Sequence, residues 1–324
     1  MGQCLHKICV SAPGSLVLMG EHGVLHGHAA LVFAINKRVI LYLTLRKDRL
    51  INIDSFLGQY CGSLDLAMFH PSFSFIIMAI NHIKPSCGFD LKVISQLDSQ
   101  LGLGSSAAIT VAITAALLTL QYHKEPSPDE ILTTAHAIVL KVQGISSGID
   151  LAASIHGGLI CYQMPKYSIE KIDFIFPIHL IYSGYKTPTA QVLKKISYIE
   201  IEYPEINEIN QKIYALMGKL SQISCQALRN KNLKVLAQAM NRQQGLLETL
   251  GVSDSKLSEI VWKLREQPHI MASKISGSGL GDCVIALGKG DLNSLPYQSV
   301  NCHMHAKGID IVPITPSHST SLYR

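Results

Sequence analysis

The run Gly102-Leu103-Gly104-Ser105-Ser106-Ala107 has the composition of an oxyanion cradle. Glycines let a backbone approach phosphate oxygens closely, and the first free amides of a following helix then point at them, assisted by the helix dipole. Ser105 and Ser106 add two hydroxyls, one of them able to face a Mg2+ ion. The run lacks the Gly-Lys-Ser/Thr of a P-loop and is not the dinucleotide fingerprint. Taken alone, it is equally an ordinary glycine-and-serine helix cap.

Three further segments carry groups of chemical interest. Ala12-Pro13-Gly14-Ser15-Leu16 precedes Gly20-Glu21-His22-Gly23-Val24-Leu25-His26-Gly27, where two expected strands flank a turn that displays a carboxylate and two imidazoles. Such a turn suits substrate binding, or is simply a polar hairpin. Gly144-Ile145-Ser146-Ser147-Gly148-Ile149-Asp150 sets a carboxylate after a glycine turn. It can orient or deprotonate a substrate hydroxyl, or cap a helix. Lys274-Ile275-Ser276-Gly277-Ser278-Gly279-Leu280-Gly281-Asp282-Cys283 reads as a tight loop before a strand, able to back the phosphate turn or to close over a substrate through Ser278 and Gly279; alone, it is equally just a turn.

These segments need elements to hold them. The 324 residues are 48% hydrophobic and 16% charged, a globular composition with enough chain for a sizeable core. Strands are expected at Lys7–Val10, Leu16–Met19, Ala30–Ile35, Val39–Thr44 and Phe89–Val93. A helix follows from Ser105 to about Gln121; its apolar pattern, Ala107 to Leu120, is interrupted by Thr110, Thr114 and Thr119, is too short and too polar to span a membrane, and reads as a buried core helix. Ser127-Pro128-Asp129-Glu130 starts a second helix running to about Gln143. Beyond these come a strand at Phe174–Tyr182, a short helix at Thr187–Ser197, and amphipathic helices at Ile206–Asn230, Leu233–Leu250 and Asp254–Gln267. A strand at Cys283–Leu287 and a frayed polar tail from Pro313 complete the chain. The sum is an α+β fold.

A net charge of +5 suits an anionic substrate such as a nucleotide and lacks the clustered stripe of a nucleic-acid binder. Eight cysteines without a Cys-x-x-Cys pair read as buried reduced thiols in a cytoplasmic protein. No signal peptide is expected, because Ile8-Cys9-Val10 already enters a strand pattern. Neither nucleic acid nor membrane is expected as a partner, and a homodimer is left open.

In their order and spacing, the glycine-rich segments Ala12 to Gly27, Leu101 to Ala108 and Lys274 to Cys283 resemble the three motifs of the GHMP kinases, which include galactokinase, homoserine kinase, mevalonate kinase and phosphomevalonate kinase. The resemblance runs from Val10 to about Leu287 and is strongest to the mevalonate kinase branch. It rests on Gly20 to Gly27, Gly104-Ser105-Ser106-Ala107-Ala108, Ser147-Gly148-Ile149-Asp150 and Asn241 to Ser253. It implies a two-lobe fold, with an N-terminal mixed lobe over 1–175, a C-terminal helix-plus-sheet lobe over 176–324, and an active site in the cleft between them. It implies ATP and Mg2+ as cofactors and a small alcohol as acceptor, mevalonate first and phosphomevalonate second. It places ATP on Gly102, Leu103, Gly104, Ser105, Ser106 and Ala107, and Mg2+ on Ser106. Ser15, Glu21, His22, Ser278 and Gly279 would meet the acceptor, with Asp150 orienting or deprotonating its hydroxyl.

Two positions depart from the family pattern. Ser15 stands where the first motif usually carries a lysine, and Val139 where a helix usually carries a Mg2+-binding glutamate. Three readings follow: another cation, with Lys186 in Ser183-Gly184-Tyr185-Lys186-Thr187-Pro188-Thr189 as candidate; a different acceptor, since Gly281-Asp282-Cys283 is reminiscent of phosphomevalonate kinases; or a catalytically silent nucleotide-binding relative. Lys186 is equally readable as a solvated turn lysine.

Overall fold

A computed structural model describes residues 7–314 apart from 67, 291, 293 and 294. Cys4 and the Ser/Thr-rich end of the tail lie outside the described residues. In chain order the elements are β1 (Lys7–Met19), β2 (Ala30–Leu45), β3 (Leu50–Ser55), β4 (Gly58–Ser63), α1 (Ser74–Ile83), β5 (Phe89–Ser95), α2 (Ser105–Tyr122), α3 (Pro128–Gln143), α4 (Ile149–His156), β6 (Leu159–Gln163), β7 (Ser168–Ile172), β8 (Ile178–Tyr182), α5 (Thr189–Glu202), α6 (Pro204–Arg229), α7 (Leu233–Thr249), α8 (Ser255–Arg265), β9 (Ile270–Ser276), β10 (Cys283–Gly288), β11 (Gln298–Ser299) and β12 (Asp310–Pro313). This is the expected mixed α/β architecture.

The first sheet runs β12-β1-β2-β5-β3-β4, with β6 and β7 extending from β2. All its pairings are antiparallel except β3 with β5. The two expected strand pairs at its start are each a single long strand. Lys7–Val10 and Leu16–Met19 join because β1 absorbs the Pro13-Gly14 interruption as a break in register against β2. A proline offers no ladder N–H, and such an irregularity accommodates that loss while re-aiming the next side chain, Ser15. β2 likewise continues through Asn36 to Arg38.

α2 packs against this sheet. It is long and apolar enough, by length and composition alone, to cross a membrane, so those two measures do not decide the matter; the expected buried core helix is what the structure has. Its surroundings explain the composition, because 72% of it is buried inside the protein. Its small alanines let it lie against β1, α1, α3 and α4 at once.

The second sheet runs β11-β8-β10-β9, antiparallel throughout. α7 and α8 pack on β9, and α5 on α6. The expected strand at Phe174–Tyr182 begins only at Ile178, one residue after Pro177, whose missing N–H cannot enter the ladder. The expected helix at Thr187–Ser197 starts at Thr189, behind Pro188, and runs on to Glu202. β12 brings Asp310–Pro313 back against β1, so Pro313 is paired with Ile8 rather than frayed. The thiols are less buried than expected. Cys225, Cys283 and Cys302 are buried, Cys9, Cys87 and Cys161 half-buried, and Cys61 exposed, all seven without a disulfide.

Candidate active site

A cavity of about 210 Å³ opens where the two sheets' loops meet, lined by Ser15, Glu21, His22, Gly102, Gly104, Ser105, Ser106, Ala107, Val139, Asp150, Lys186, Ser278 and Asp282 among others. Nearly all the side chains singled out in the sequence therefore converge. Two do not line it. Leu103 is buried beneath the turn, its carbonyl accepting from the Ser15 N–H at 3.1 Å. Gly279 packs against Val252, with no room for a side chain between them.

The phosphate-type turn has the geometry its sequence suggests. Gly102 and Gly104 have φ of 64° and 68°, a region that favours glycine. Gly104 is the N-cap of α2, and no side chain caps that end. The first amides of an 18-residue helix thus remain available to an anion beside the exposed Ser106 hydroxyl. Gly104 is required sterically as well, because a Cβ there would strike Ser15 Oγ.

Ser15 links the three segments. The break in β1 turns its hydroxyl toward Asp150, donating to Oδ1 at 2.7 Å across 135 residues of sequence. Asp150 lies in the first turn of α4, whose start is set by Gly148 at φ 74°. Burial pushes the Asp150 carboxyl above the ordinary carboxylate range, and the Ser15 hydrogen bond pulls it part of the way back. The loop before it is braced by groups the sequence gave no reason to single out. Tyr162 donates to the Ser147 carbonyl at 2.5 Å, and His136 Nε2 lies 3.0 Å from the Ser146 carbonyl. A carboxylate held this way is equipped to take a proton from a nearby hydroxyl.

The wall opposite is neutralised internally. The expected turn at Gly20–Gly27 contains a 3-10 helix, His22–His26. Glu21 forms a buried ion pair with Lys274 of β9 and accepts from Gln243 Nε2 at 3.0 Å. Burial lowers the Lys274 pKa while Glu21 opposes that shift. Burial pushes the His22 imidazole down to about 4. Neutral at pH 7, it donates through Nε2 to the Ser278 carbonyl at 3.0 Å, since a carbonyl only accepts. His26 stacks on Tyr214 at 3.8 Å between ring centroids.

Lys186 enters the cavity, with its Nζ donating to the Ser99 carbonyl at 2.7 Å. It acts electrostatically on Asp282, which burial raises to about 6 against the pull of Lys186, and on the neighbouring Cys283. Val139 also lines the cavity, presenting methyl groups where the family pattern has a carboxylate. A second, more apolar cavity of about 180 Å³ shares Ser105 and Ser106 and is walled by Phe56, Leu57, Phe73 and Phe75. Sequence reading missed it, because its walls come from β3, β5, α1 and the segments between them, none of which carries a motif.

Comparison with known proteins gives the family and the fold. Residues 74–158 match the GHMP kinases N terminal domain and residues 225–295 the GHMP kinases C terminal domain. A mevalonate kinase from Pyrococcus furiosus is 32% identical over 304 residues, spanning 87% of this chain and 89% of that protein. The fold is also that of a Lin0012 protein from Listeria innocua, with TM-score 0.83 at 22% identity over 94% of this chain and 99% of that one. A mevalonate kinase from Methanococcus jannaschii superposes with TM-score 0.74 at 24% identity over 92% and 98% of the two chains. With both family domains matched in order and a third of the residues shared along nearly the whole length of a relative, the chain belongs to the GHMP family of small-molecule kinases.

Proposed function

We propose that the chain transfers the γ-phosphoryl group of ATP to the 5-hydroxyl of mevalonate, giving 5-phosphomevalonate. The observation that carries this reading is the convergence of Asp150 and the capless N-terminus of α2 in one cavity, in a chain 32% identical to a mevalonate kinase. Phosphoryl transfer asks for positioning and charge stabilisation more than for covalent chemistry. The amides of Ser105, Ser106 and Ala107 hold the phosphates, and the apolar cavity behind Ser105 and Ser106 takes the base. Asp150 accepts the proton of the acceptor hydroxyl, with Ser15 fixing its orientation through Oδ1. Lys186 supplies positive charge at the cavity mouth, freed from Ser99 by a rotamer change. Glu21 and His22, spent on Lys274, Gln243 and Ser278, shape the acceptor wall rather than presenting free charge to it.

A divalent cation fits the donors present. Ser106 offers a hydroxyl, and Asp282 Oδ1 is a buried oxygen without a hydrogen-bond partner. Both are hard ligands of the kind Mg2+ takes alongside phosphate oxygens and water. When bound, Mg2+ would neutralise charge developing on the phosphates. A cytoplasmic setting belongs to the same proposal, supported by seven cysteines that form no disulfide.

Steady-state turnover with ATP and mevalonate, repeated for Asp150→Ala, tests the assignment. The substitution is expected to lower kcat by about a hundredfold or more, the scale of losing a general base, while nucleotide affinity holds. An unchanged rate would take Asp150 out of the reaction.

A further inference from the structure

We propose that Asp282 is an oxygen ligand of the divalent cation that accompanies the nucleotide, in the role that Val139 cannot fill. The inference rests on Gly102–Ala107 being the phosphate turn. Asp282 closes the loop between β9 and β10, and its backbone is pinned at both ends. Its N–H donates to the Tyr185 carbonyl at 2.9 Å, and its carbonyl accepts from the Ser183 N–H at 2.9 Å. Its φ is 60°, a conformation that Asp tolerates better than most side chains. The backbone therefore dictates where the carboxyl lies.

That place is against the phosphate turn. A Cβ built on Gly102 would fall 2.7 Å from Asp282 Cγ and 2.9 Å from Oδ2, so the carboxyl occupies the space above that glycine. Asp282 is only 7% exposed, and its Oδ1 is buried without a hydrogen-bond partner. A buried carboxylate normally collects donors or a counter-charge, because desolvation otherwise makes the ion costly. Here the cation that acts on it, Lys186, is exposed to water and makes no hydrogen bond to Oδ1, its Nζ donating to the Ser99 carbonyl instead. Set beside incoming phosphates, an uncompensated carboxylate would repel them. A cation shared between the two reverses that sign, satisfying Oδ1 and the phosphate oxygens together. The described residues contain no group of three or more His, Cys, Asp or Glu able to hold a metal alone. A site of one carboxylate, one hydroxyl and phosphate oxygens is the arrangement Mg2+ commonly adopts.

Binding of a nonhydrolysable ATP analogue to the full chain, measured by calorimetry with Mg2+ and again in EDTA, reads the two signs separately. For Asp282→Asn the Mg2+ complex is expected to bind about tenfold or more weaker, on the scale of disturbing a metal shell. The metal-free analogue is expected to bind as tightly as to the parent chain, or severalfold tighter. Mn2+ titration by electron paramagnetic resonance with the analogue present should show the same loss for Asp282→Asn and partial retention for Asp282→Glu. Equal changes with and without metal, or unaltered Mn2+ affinity, would overturn the assignment. Should Asp282→Asn fail to fold by circular dichroism, Asp282→Ser carries the same comparison. If the parent chain binds the analogue in neither condition, the phosphate turn itself is misassigned, a separate failure.

Discussion

Ser15 does part of what a lysine would do at its position: it orients Asp150 with a hydrogen bond but contributes no charge. Its effect should appear in the pH profile. The bond favours the ionised carboxylate, so Ser15→Ala should raise the Asp150 pKa further and move the acid limb of kcat/KM to higher pH. With a bond to a charged group worth about 1.5–3 kcal/mol, kcat at neutral pH should fall about tenfold or more. An unshifted limb would make Ser15 packing alone. His22 offers a second test, through stability. It is held near 4 in the fold against about 6.5 in an unfolded chain, so the unfolded state binds more protons between those values. Stability therefore rises with pH across that window, by about 3 kcal/mol in full. Asp282, raised to about 6, contributes with the opposite sign below that pH, so the difference between parent chain and His22→Gln isolates the histidine. Measured by denaturant midpoints from pH 4 to 8, the stability of the parent chain relative to His22→Gln should grow between pH 4 and about 6.5 and stay constant above that. Parallel curves would contradict the burial argument. At this scale the meeting of Ser106 and Asp150 in one cavity was legible, because glycine spacing marks the turns that carry them. The Ser15–Asp150 bond and the unpartnered oxygen of Asp282 were not, since both arise from contacts across more than a hundred residues.

At the scale of elements, the site is built from ends. α2 and α4 both begin behind glycines with positive φ, and both turn those ends to the cavity. The Glu21–Lys274 pair fastens the short helix after β1 to β9 of the second sheet. Glu21→Ala should strand a fully buried ammonium and lower stability by about 3–5 kcal/mol, read as a shift of the denaturant midpoint. A loss under 1 kcal/mol would mean that Lys274 finds water or deprotonates at no expense. α3 was readable to the residue, since Ser127 and Glu130 form the capping box their spacing predicts. α1 was missed because no side chain caps its start, and α4 because eight residues hold barely two turns of periodicity. The small strands β3 and β4 lack the apolar runs that marked β1 and β2: β3 buries only Ile51 and Ile53, and β4 has no buried residue.

At the scale of the molecule, a family resemblance carried by short motifs foretold a two-lobe α+β kinase fold, and the mixed architecture with two sheets and the family matches agree. Composition alone reached only α+β, because the return of β12 to β1 and the meeting of loops from both sheets are products of tertiary packing. The fold does not choose the acceptor. That choice rests on the relatives at about 32% identity and on an acceptor wall whose charges are already paired. Coupled ATP turnover over a panel of mevalonate, phosphomevalonate, homoserine and galactose tests it most directly. Mevalonate is expected to turn over with a kcat/KM at least tenfold above the others. Turnover with phosphomevalonate alone, or ATP binding without turnover of any acceptor, would contradict it.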